Sequence, residues 1–197
     1  MNSAIKDTIS GVILAGGRGR RMGGVDKGLQ LLRGKPMVLW VIERFAPQVD
    51  ELLVNANQNV DRYGAFGFQV IPDAIGEYAG PLAGLHRALS EARHDLIATV
   101  PCDSPFLPHD LVERLHAALE EQDAELAVAR TGDQPHPVFC LCRNRVLPGL
   151  TAFLEGGGRK IDAWYAALNV AQVAFDDEAE AFSNINTEHE LRALDSR

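Results

Sequence analysis

Short apolar runs rich in β-branched residues alternate with longer stretches of helical period along this chain of 197 residues. Such an alternation is typical of a mainly parallel sheet with helices packed on both faces. The apolar runs predict strands at Gly11–Ala15, Leu52–Val54, Gln69–Ile71, Leu96–Val100, Glu125–Ala129, Pro137–Cys142 and Val170–Phe175. The helical stretches predict helices at Met37–Phe45, along the stripe Leu82, Leu85 and Leu89, at Leu111–Leu119, Val146–Leu154 and Ile161–Leu168, and from a capping box at Thr187 and Glu190 to Leu194. We therefore predict one α/β domain over residues 1–197, a three-layer α/β/α sandwich on a Rossmann-like sheet.

The first predicted strand runs directly into a basic, glycine-rich loop, and residues 12–28 read VILAGGRGRRMGGVDKG. Glycines let backbone N–H groups approach phosphate oxygens, and arginine and lysine side chains neutralise the phosphate charge. The loop also follows the carboxyl end of a strand, where open α/β sheets bind their ligands. The segment therefore predicts a polyphosphate site. The alternative is a glycine-rich turn with a solvated basic face.

Spacing excludes two familiar phosphate-binding loops. A dinucleotide fingerprint that begins at Gly17 and Gly19 would meet Met22 where its third glycine belongs. A P-loop requires Ser or Thr after Gly-Lys, whereas the Gly-Lys pair at 34–35 is followed by proline. The loop is therefore neither a usual nicotinamide-binding loop nor a Walker loop.

The charge balance narrows the range of partners. The formal net charge is −8, and the basic residues cluster only in the loop, at Arg18, Arg20, Arg21 and Lys27. One basic cluster on an acidic chain indicates a small, highly charged anion and argues against nucleic acid or an anionic membrane. No apolar stretch approaches the roughly 20 residues that span a bilayer, and no targeting segment is recognisable, so we expect a cytoplasmic protein.

The three cysteines do not suggest a disulfide framework, and their odd number fits a reducing compartment. Cys140 and Cys142 lie two residues apart in a predicted strand. We expect them to be two small residues on one face of that strand, and half of a metal site is the alternative.

The loop is very similar to the signature of the molybdenum cofactor guanylyltransferases, a family within the wider nucleotidyltransferase superfamily. LAGG alone is weakly specific, since sugar and cytidylyl enzymes carry a similar LAAG, but RMGGVDKG together with PCDSP is specific. Ser104 stands where threonine is common in the family, and this change keeps the hydroxyl. The resemblance continues in the family's order through Asn55-Ala56-Asn57, Pro72-Asp73, Gly80-Pro81-Leu82-Ala83-Gly84, Pro101-Cys102-Asp103-Ser104-Pro105, His136-Pro137 and Asn184-Ile185-Asn186-Thr187.

The resemblance implies that the N-terminal half binds the nucleotide and that Asp103 binds Mg²⁺. For Asp103, and likewise for Asn55 and Asp73, turn formation is the alternative role. On the nucleotide, the resemblance implies backbone contacts from Leu14, Ala15, Gly16 and Gly17, phosphate contacts from Lys27 and Arg21, base or ribose contacts from Asn55 and Asp73, and a lip for an anion or base from Gly80 to Gly84.

The C-terminal half is then expected to bind the acceptor, a phosphorylated pterin. Asn186 is also a candidate second metal ligand, and solvated surface charge is the alternative for the basic residues. The glycines at 156–158 suggest a mobile loop beside the site. The proposed acceptor residues are His136, Arg159, Lys160, Asn184 and Asn186.

The activity implied is transfer of GMP from GTP to the terminal phosphate of molybdopterin, with or without molybdenum, and release of pyrophosphate. The attacking phosphate is already an anion, so the reaction depends on positioning and on charge neutralisation by Mg²⁺, Lys27 and Arg21. Other cofactor-biosynthesis proteins are possible partners. The alternatives are cytidylyl transfer to molybdopterin, nucleotidyl transfer to a sugar phosphate, and a non-catalytic carrier of GTP and pterin.

Overall fold

The fold is built on one sheet of seven strands, and the computed structural model describes residues 7–16, 26–75, 80–185 and 190–191. Within these ranges the strands are β1 (Ile9–Leu14), β2 (Leu31–Leu32), β3 (Lys35–Pro36), β4 (Glu51–Asn55), β5 (Gln69–Ile71), β6 (Leu96–Pro101), β7 (Leu126–Thr131), β8 (Gln134–Arg143) and β9 (Val170–Ala174). The large sheet has the order β5-β4-β1-β6-β8-β7-β9, and β2 and β3 form a separate small hairpin.

Most neighbouring strands of the sheet are parallel, as the alternating pattern predicts. β1 lies parallel to β4 and β6, β4 to β5, and β7 to β9. β8 is antiparallel to both β6 and β7, because a tight turn through Gly132 at φ 53° sends the chain straight back beside β7. The mainly parallel sheet is confirmed. The sequence does not predict the antiparallel direction of β8.

Helices cover both faces of the sheet, which confirms the three-layer α/β/α sandwich. One face packs against α1 (Met37–Phe45) and α4 (Leu111–Glu121), with Tyr63 of α2 (Val60–Gly64). The other packs against α3 (Pro81–Glu91), α5 (Leu147–Glu155) and α6 (Ile161–Tyr165). Neighbouring strand residues alternate between the two cores, as Val12 and Ile13 of β1 do.

Several boundaries differ from the sequence prediction. α6 ends at Tyr165 rather than Leu168, and the helix expected from Val146 begins as a 3-10 turn at Asn144–Val146. A 3-10 segment at Asp176–Phe182 follows β9 and was not predicted. Of the expected last helix the structure describes residues 190–191, which are helical, and Thr187 and Leu194 lie outside the described residues.

The glycines at 156–158 close the end of α5 instead of forming the mobile loop expected from the sequence. The three amides donate in turn to the carbonyl oxygens of Ala152, Leu154 and Phe153. Gly157 has φ 86°, the left-handed conformation that often ends a helix. A Cβ on Gly158 would lie 2.5 Å from the Phe153 ring, so this close turn requires glycine.

Two further expectations concern the core and the membrane. Cys140 and Cys142 both point to the same side of β8 and are buried in the core beneath α3 and α5, as predicted for residues of one strand face. Among the described residues, no helix combines the length and apolar character that crossing a bilayer requires.

Candidate functional site

The carboxyl ends of the parallel strands are level with one another and define one edge of the sheet. Leu14 at the end of β1 is aligned with Asn55 of β4 and with Pro101 of β6. The antiparallel β8 begins at this edge, since Thr99 of β6 is already aligned with Cys140. The segments that leave β1, β4, β5 and β6, and the one that enters β8, are therefore gathered at one place, where open α/β sheets bind ligands.

Lys27 and Asp103 meet at this edge although 76 residues separate them. The Lys27 Nζ lies 3.0 Å from Asp103 Oδ2, and the two side chains are 23% and 11% exposed. Lys27 begins a 3-10 turn that ends at Leu29, and Asp103 directly follows Cys102, whose amide donates to the Leu14 carbonyl oxygen. A lysine and a carboxylate are thus held together at the rim, within reach of a charged ligand.

The segment at 183–185 is fastened to the turn that carries Asp103. The Ile185 amide donates to the Asp103 carbonyl oxygen at 3.0 Å, and Ser104 Oγ donates to Asn184 Oδ1 at 2.8 Å. The Ser104 hydroxyl thereby has a definite function, which a threonine would also provide. Asn184 is thus brought next to the turn of Asp103, as its assignment to the site requires.

Asn55, Asn57 and Asp73 form a polar network where β4 and β5 end. Asn55 Nδ2 donates to Asp73 Oδ1 at 2.9 Å and to the Ile71 carbonyl oxygen at 3.0 Å. Asn57 Nδ2 donates to Asp73 Oδ2 at 2.7 Å, and its Oδ1 accepts from the Asp73 amide at 2.8 Å. Both oxygens of the Asp73 carboxylate are therefore oriented by amides. Asn55 is buried and supports Asp73, which is itself partly exposed.

Two of the glycines named from the sequence pack closely against this network. A Cβ on Gly84 would lie 2.4 Å from Asn55 Oδ1 and 2.8 Å from Leu14 Cδ2. A Cβ on Gly16 would lie 3.0 Å from Asn57 Nδ2 and 3.3 Å from Asn55 Oδ1. Gly80 is different, because nothing lies near its Cβ position, but its φ of 66° and ψ of −153° are accessible essentially to glycine alone. Pro81 then begins α3.

A cavity of about 450 Å³ opens over the end of β6, the β7–β8 hairpin and the segment that runs from Ala179 to Asn184. His136 lies against the Phe182 ring, with centroids 4.8 Å apart and planes inclined by 20°, and its Nε2 is 2.7 Å from Thr131 Oγ1. Burial lowers the pKa of His136, so the ring is neutral at pH 7. The cavity is lined by prolines, aromatic rings, hydroxyls and amides, among them Pro101, Thr131, His136, Val138, Phe182 and Asn184.

Arg159 and Lys160 do not line this cavity. Arg159 Nη1 donates to the Leu154 carbonyl oxygen at 2.9 Å and to that of Gly158, which makes it a cap on the last turn of α5. Lys160 is exposed and directly precedes α6. Gly17, Arg21 and Asn186, which were also assigned to the site, lie outside the described residues.

The structure adds residues that the sequence reasoning did not select. Asn57 stands two positions after Asn55, in the same Asn55-Ala56-Asn57 block, and that spacing was a usable signal. Thr131 and Phe182 had no signal, because their contacts with His136 depend on the hairpin and on the 3-10 segment. The same holds for Tyr63, whose hydroxyl donates to Asp26 of the loop motif at 2.6 Å.

Known proteins match this chain over nearly its whole length. A molybdenum cofactor guanylyltransferase of Cupriavidus taiwanensis is 51% identical over 197 residues, covering 98% of this chain and 98% of that protein. A protein of the same name from Bordetella petrii is 51% identical over 193 residues, covering 96% of this chain and 98% of the relative.

The fold of a solved structure agrees with these sequence relatives. The molybdopterin-guanine dinucleotide biosynthesis protein A of Archaeoglobus fulgidus superposes with a TM-score of 0.77 at 25% identity, covering 95% of this chain and 97% of the other. Residues 11–170 also match the family described as the MobA-like NTP transferase domain. This chain therefore belongs to the MobA-like NTP transferase family.

Proposed function

We propose that this protein transfers GMP from GTP to the terminal phosphate of molybdopterin and releases pyrophosphate. The observation that carries the proposal is the meeting of Lys27 and Asp103 at 3.0 Å where the parallel strands end. Ser104, beside Asp103, is bonded to Asn184, which lines a cavity that can receive a second substrate. The names of relatives that are 51% identical favour guanylyl transfer over transfer to a sugar phosphate or transfer of a cytidylyl group. A passive carrier of GTP and pterin would not need this pairing of a lysine with a carboxylate, so the pair favours a catalytic role.

In this proposal the strand edge divides into two sides. GTP lies over β1, β4 and β5, with its base or ribose at Asp73 and its phosphates at Lys27 and Arg21. An oxygen of the acceptor phosphate attacks the α-phosphorus, the bond to the β-phosphate breaks, and pyrophosphate leaves. The acceptor phosphate is an anion at neutral pH, so no general base is required, and the protein contributes positioning and charge neutralisation.

The donor set at the edge fits a magnesium ion. Mg²⁺ prefers oxygen ligands and commonly takes one or two carboxylates together with substrate phosphates. Asp103 supplies a carboxylate at the mouth of the site, and Asn186 is proposed as a further ligand. Bound Mg²⁺ would neutralise charge on the triphosphate, while Lys27, whose amine lies beside the same carboxylate, would contact the phosphates themselves.

The cavity suits the pterin part of the acceptor. A planar ring can stack beside His136 and Phe182, whose own stacking leaves a neutral, flat surface. The amide of Asn184 and the hydroxyl of Thr131 offer hydrogen bonds at the cavity wall. Arg159 and Lys160 stay proposed for the acceptor phosphate, although Arg159 is engaged with the end of α5.

Substitution of Asp103 tests the proposal. Asp103→Ala is expected to lower kcat/KM by a factor equivalent to about 3 kcal/mol or more, the scale of other preorganised electrostatic groups. Its affinity for Mn²⁺, measured by electron paramagnetic resonance with GTP present, should fall as well. Glu113→Gln, which changes an exposed carboxylate of α4, serves as the control. Near-normal pyrophosphate release by Asp103→Ala would refute the assignment.

A further inference from the structure

Tyr63 is a buried tyrosine whose hydroxyl lies against the Lys27–Leu29 turn. It is 0% exposed and belongs to the short helix α2, on the face covered by α1 and α4. Its hydroxyl donates to Asp26 Oδ1 at 2.6 Å, and Asn59 Nδ2 donates to the other carboxylate oxygen at 2.9 Å. Asp26 directly precedes Lys27, so these two donors fix the carboxylate at the entrance of the Lys27–Leu29 turn.

The same hydroxyl also contacts the turn at Gly28. A Cβ on Gly28 would lie 2.5 Å from Tyr63 Oη and 3.2 Å from both Cβ and Sγ of Cys102. The Cβ side of Gly28 therefore faces both the Tyr63 hydroxyl and the Cys102 side chain, which pack closely against the backbone of the turn. Cys102 directly precedes Asp103, and Gly28 directly follows Lys27. The packing of Cys102 against Gly28 therefore links the backbone that carries Lys27 to the backbone that carries Asp103.

The hydrogen bond from the Tyr63 phenol to the Asp26 carboxylate restrains the backbone at Asp26. A buried phenol needs a partner, and a carboxylate acceptor makes the bond shorter and stronger than a neutral one. Burial, together with the nearby Cys102 and Asp26, raises the pKa of Tyr63 far above its usual value, so the phenol remains a proton donor at any working pH.

Lysine, in contrast, carries its charge on a flexible four-carbon stem. The location of Lys27 Nζ beside Asp103 then depends on how firmly the backbone at residues 26–28 is held. We propose that Tyr63 is a positioning residue that acts through Asp26 to keep the Lys27 amine at the carboxylate of Asp103, where it meets the triphosphate. This inference rests on the proposed function of Lys27. The competing role is that of a core tyrosine whose hydroxyl serves stability alone.

Tyr63→Phe keeps the ring and removes the hydroxyl, and Tyr165→Phe is the matched control. Tyr165 is likewise a largely buried tyrosine, and its hydroxyl donates to the Pro137 carbonyl oxygen at 2.6 Å. Both variants should lose stability in urea. Only Tyr63→Phe should weaken GTP binding in calorimetry without acceptor, by roughly tenfold, the effect of losing one charge-assisted hydrogen bond. In steady-state assays its KM for GTP should rise, while its KM for the acceptor stays unchanged.

A double-variant cycle tests the route through Asp26. If Tyr63 acts through this carboxylate, Tyr63→Phe combined with Asp26→Ala should bind GTP no more weakly than Asp26→Ala alone. Additive losses would overturn the inference. Asn59→Gly provides a variant outside the core, since it removes the amide donor and suits the φ of 53° at this position. It should weaken GTP binding in the same direction, whether or not Tyr63→Phe folds well, and unchanged binding would contradict the inference.

Lys27→Ala separates this inference from the proposed function. If Lys27→Ala leaves GTP binding and pyrophosphate release unchanged, the role proposed for Lys27 fails. If Lys27→Ala weakens GTP binding while Tyr63→Phe and Tyr165→Phe both behave like the parent, the role of Lys27 stands and the positioning role of Tyr63 is refuted.

Discussion

At the scale of single residues, the proposed nucleotide side of the sheet edge depends on glycines, which leave space for polar groups, as well as on the polar groups themselves. Gly84 lies inside α3, where alanine is intrinsically better than glycine by about 1 kcal/mol. Its Cα nevertheless faces Asn55 Oδ1, which leaves no space for a methyl group. The packing of Asn55 against two glycines is thus what keeps the Asp73 carboxylate oriented.

Gly84→Ala is expected to destabilise the protein by roughly 1–3 kcal/mol, because the clash exceeds the gain in helix propensity. It should also raise the KM for GTP, since Asn55 must move and Asp73 moves with it. Gly149→Ala in α5 is the control, because nothing lies within 4 Å of its Cβ position. Urea unfolding and GTP titration of both variants check the expectation, which fails if Gly84→Ala is as stable as Gly149→Ala.

Some contacts between single residues can be predicted from the sequence, and others cannot. Lys27 and Asp103 were found because the motifs that carry them resemble those of a family, and the structure brings the two together. Asp26 belongs to the same motif, yet its partner Tyr63 lies 37 residues further along the chain. No local pattern encodes a contact of this kind, because it depends on how α2 packs beneath the loop.

At the scale of elements, α3 and α5 are joined through a buried histidine. His86 Nε2 lies 3.0 Å from Thr151 Oγ1, and this hydroxyl donates to the Leu147 carbonyl oxygen. The hydroxyl therefore accepts from Nε2–H, so Nδ1 of the neutral ring carries no proton. Nδ1 is buried without a hydrogen-bond partner among the described residues, and burial, with Arg87 nearby, lowers the pKa of His86.

This arrangement predicts how stability depends on pH. With the folded pKa of His86 below the unfolded value of about 6.5, the unfolded chain binds more protons in the interval between the two. The free energy of unfolding should therefore fall as the pH drops below about 6.5 towards the folded pKa. His136, whose pKa is also lowered, contributes with the same sign. His86→Gln should flatten the pH dependence of urea unfolding without abolishing it, and an unaltered slope would contradict the assignment.

The elements differ in how readily the sequence predicts them. β1 and β6 are buried along nearly their whole length, and both begin and end within two residues of the bounds predicted from their apolar runs. The direction of β8 could not be inferred, because an apolar run looks the same whether its strand is parallel or antiparallel. α2 is five residues long and mostly polar, too short for a helical period to be recognised.

At the scale of the whole molecule, the two proposed sides of the sheet edge are formed by successive parts of the chain. The proposed nucleotide residues precede Asp103 in the sequence, and the cavity residues His136, Phe182 and Asn184 follow it. The C-terminal side is anchored separately, through bonds from Arg114 of α4 to Asp177 and to the Ala174 carbonyl oxygen. The two binding functions should therefore respond independently to substitution.

Lys27→Ala should weaken GTP binding and leave the affinity for isolated molybdopterin nearly unchanged. His136→Ala should do the reverse, because it removes the ring that stacks on Phe182 at the cavity wall. We expect changes of roughly tenfold or more, about the effect of one lost aromatic or charged contact. Calorimetry with each ligand alone measures both affinities. Loss of pterin affinity in Lys27→Ala with GTP affinity retained would mean that the two sides are reversed.

The β7–β8 hairpin has a consequence for how acceptor choice can diversify. Its turn at Gly132 projects at the active edge, and Thr131, Gln134 and His136 on either side of it line the cavity. Insertions in this turn would reshape the cavity proposed for the pterin while β1, β4 and β5 kept their register. Loops that join antiparallel neighbours tolerate such changes well. A single hairpin thus gives evolution, or a protein engineer, a place to exchange the acceptor while the nucleotide machinery is inherited intact.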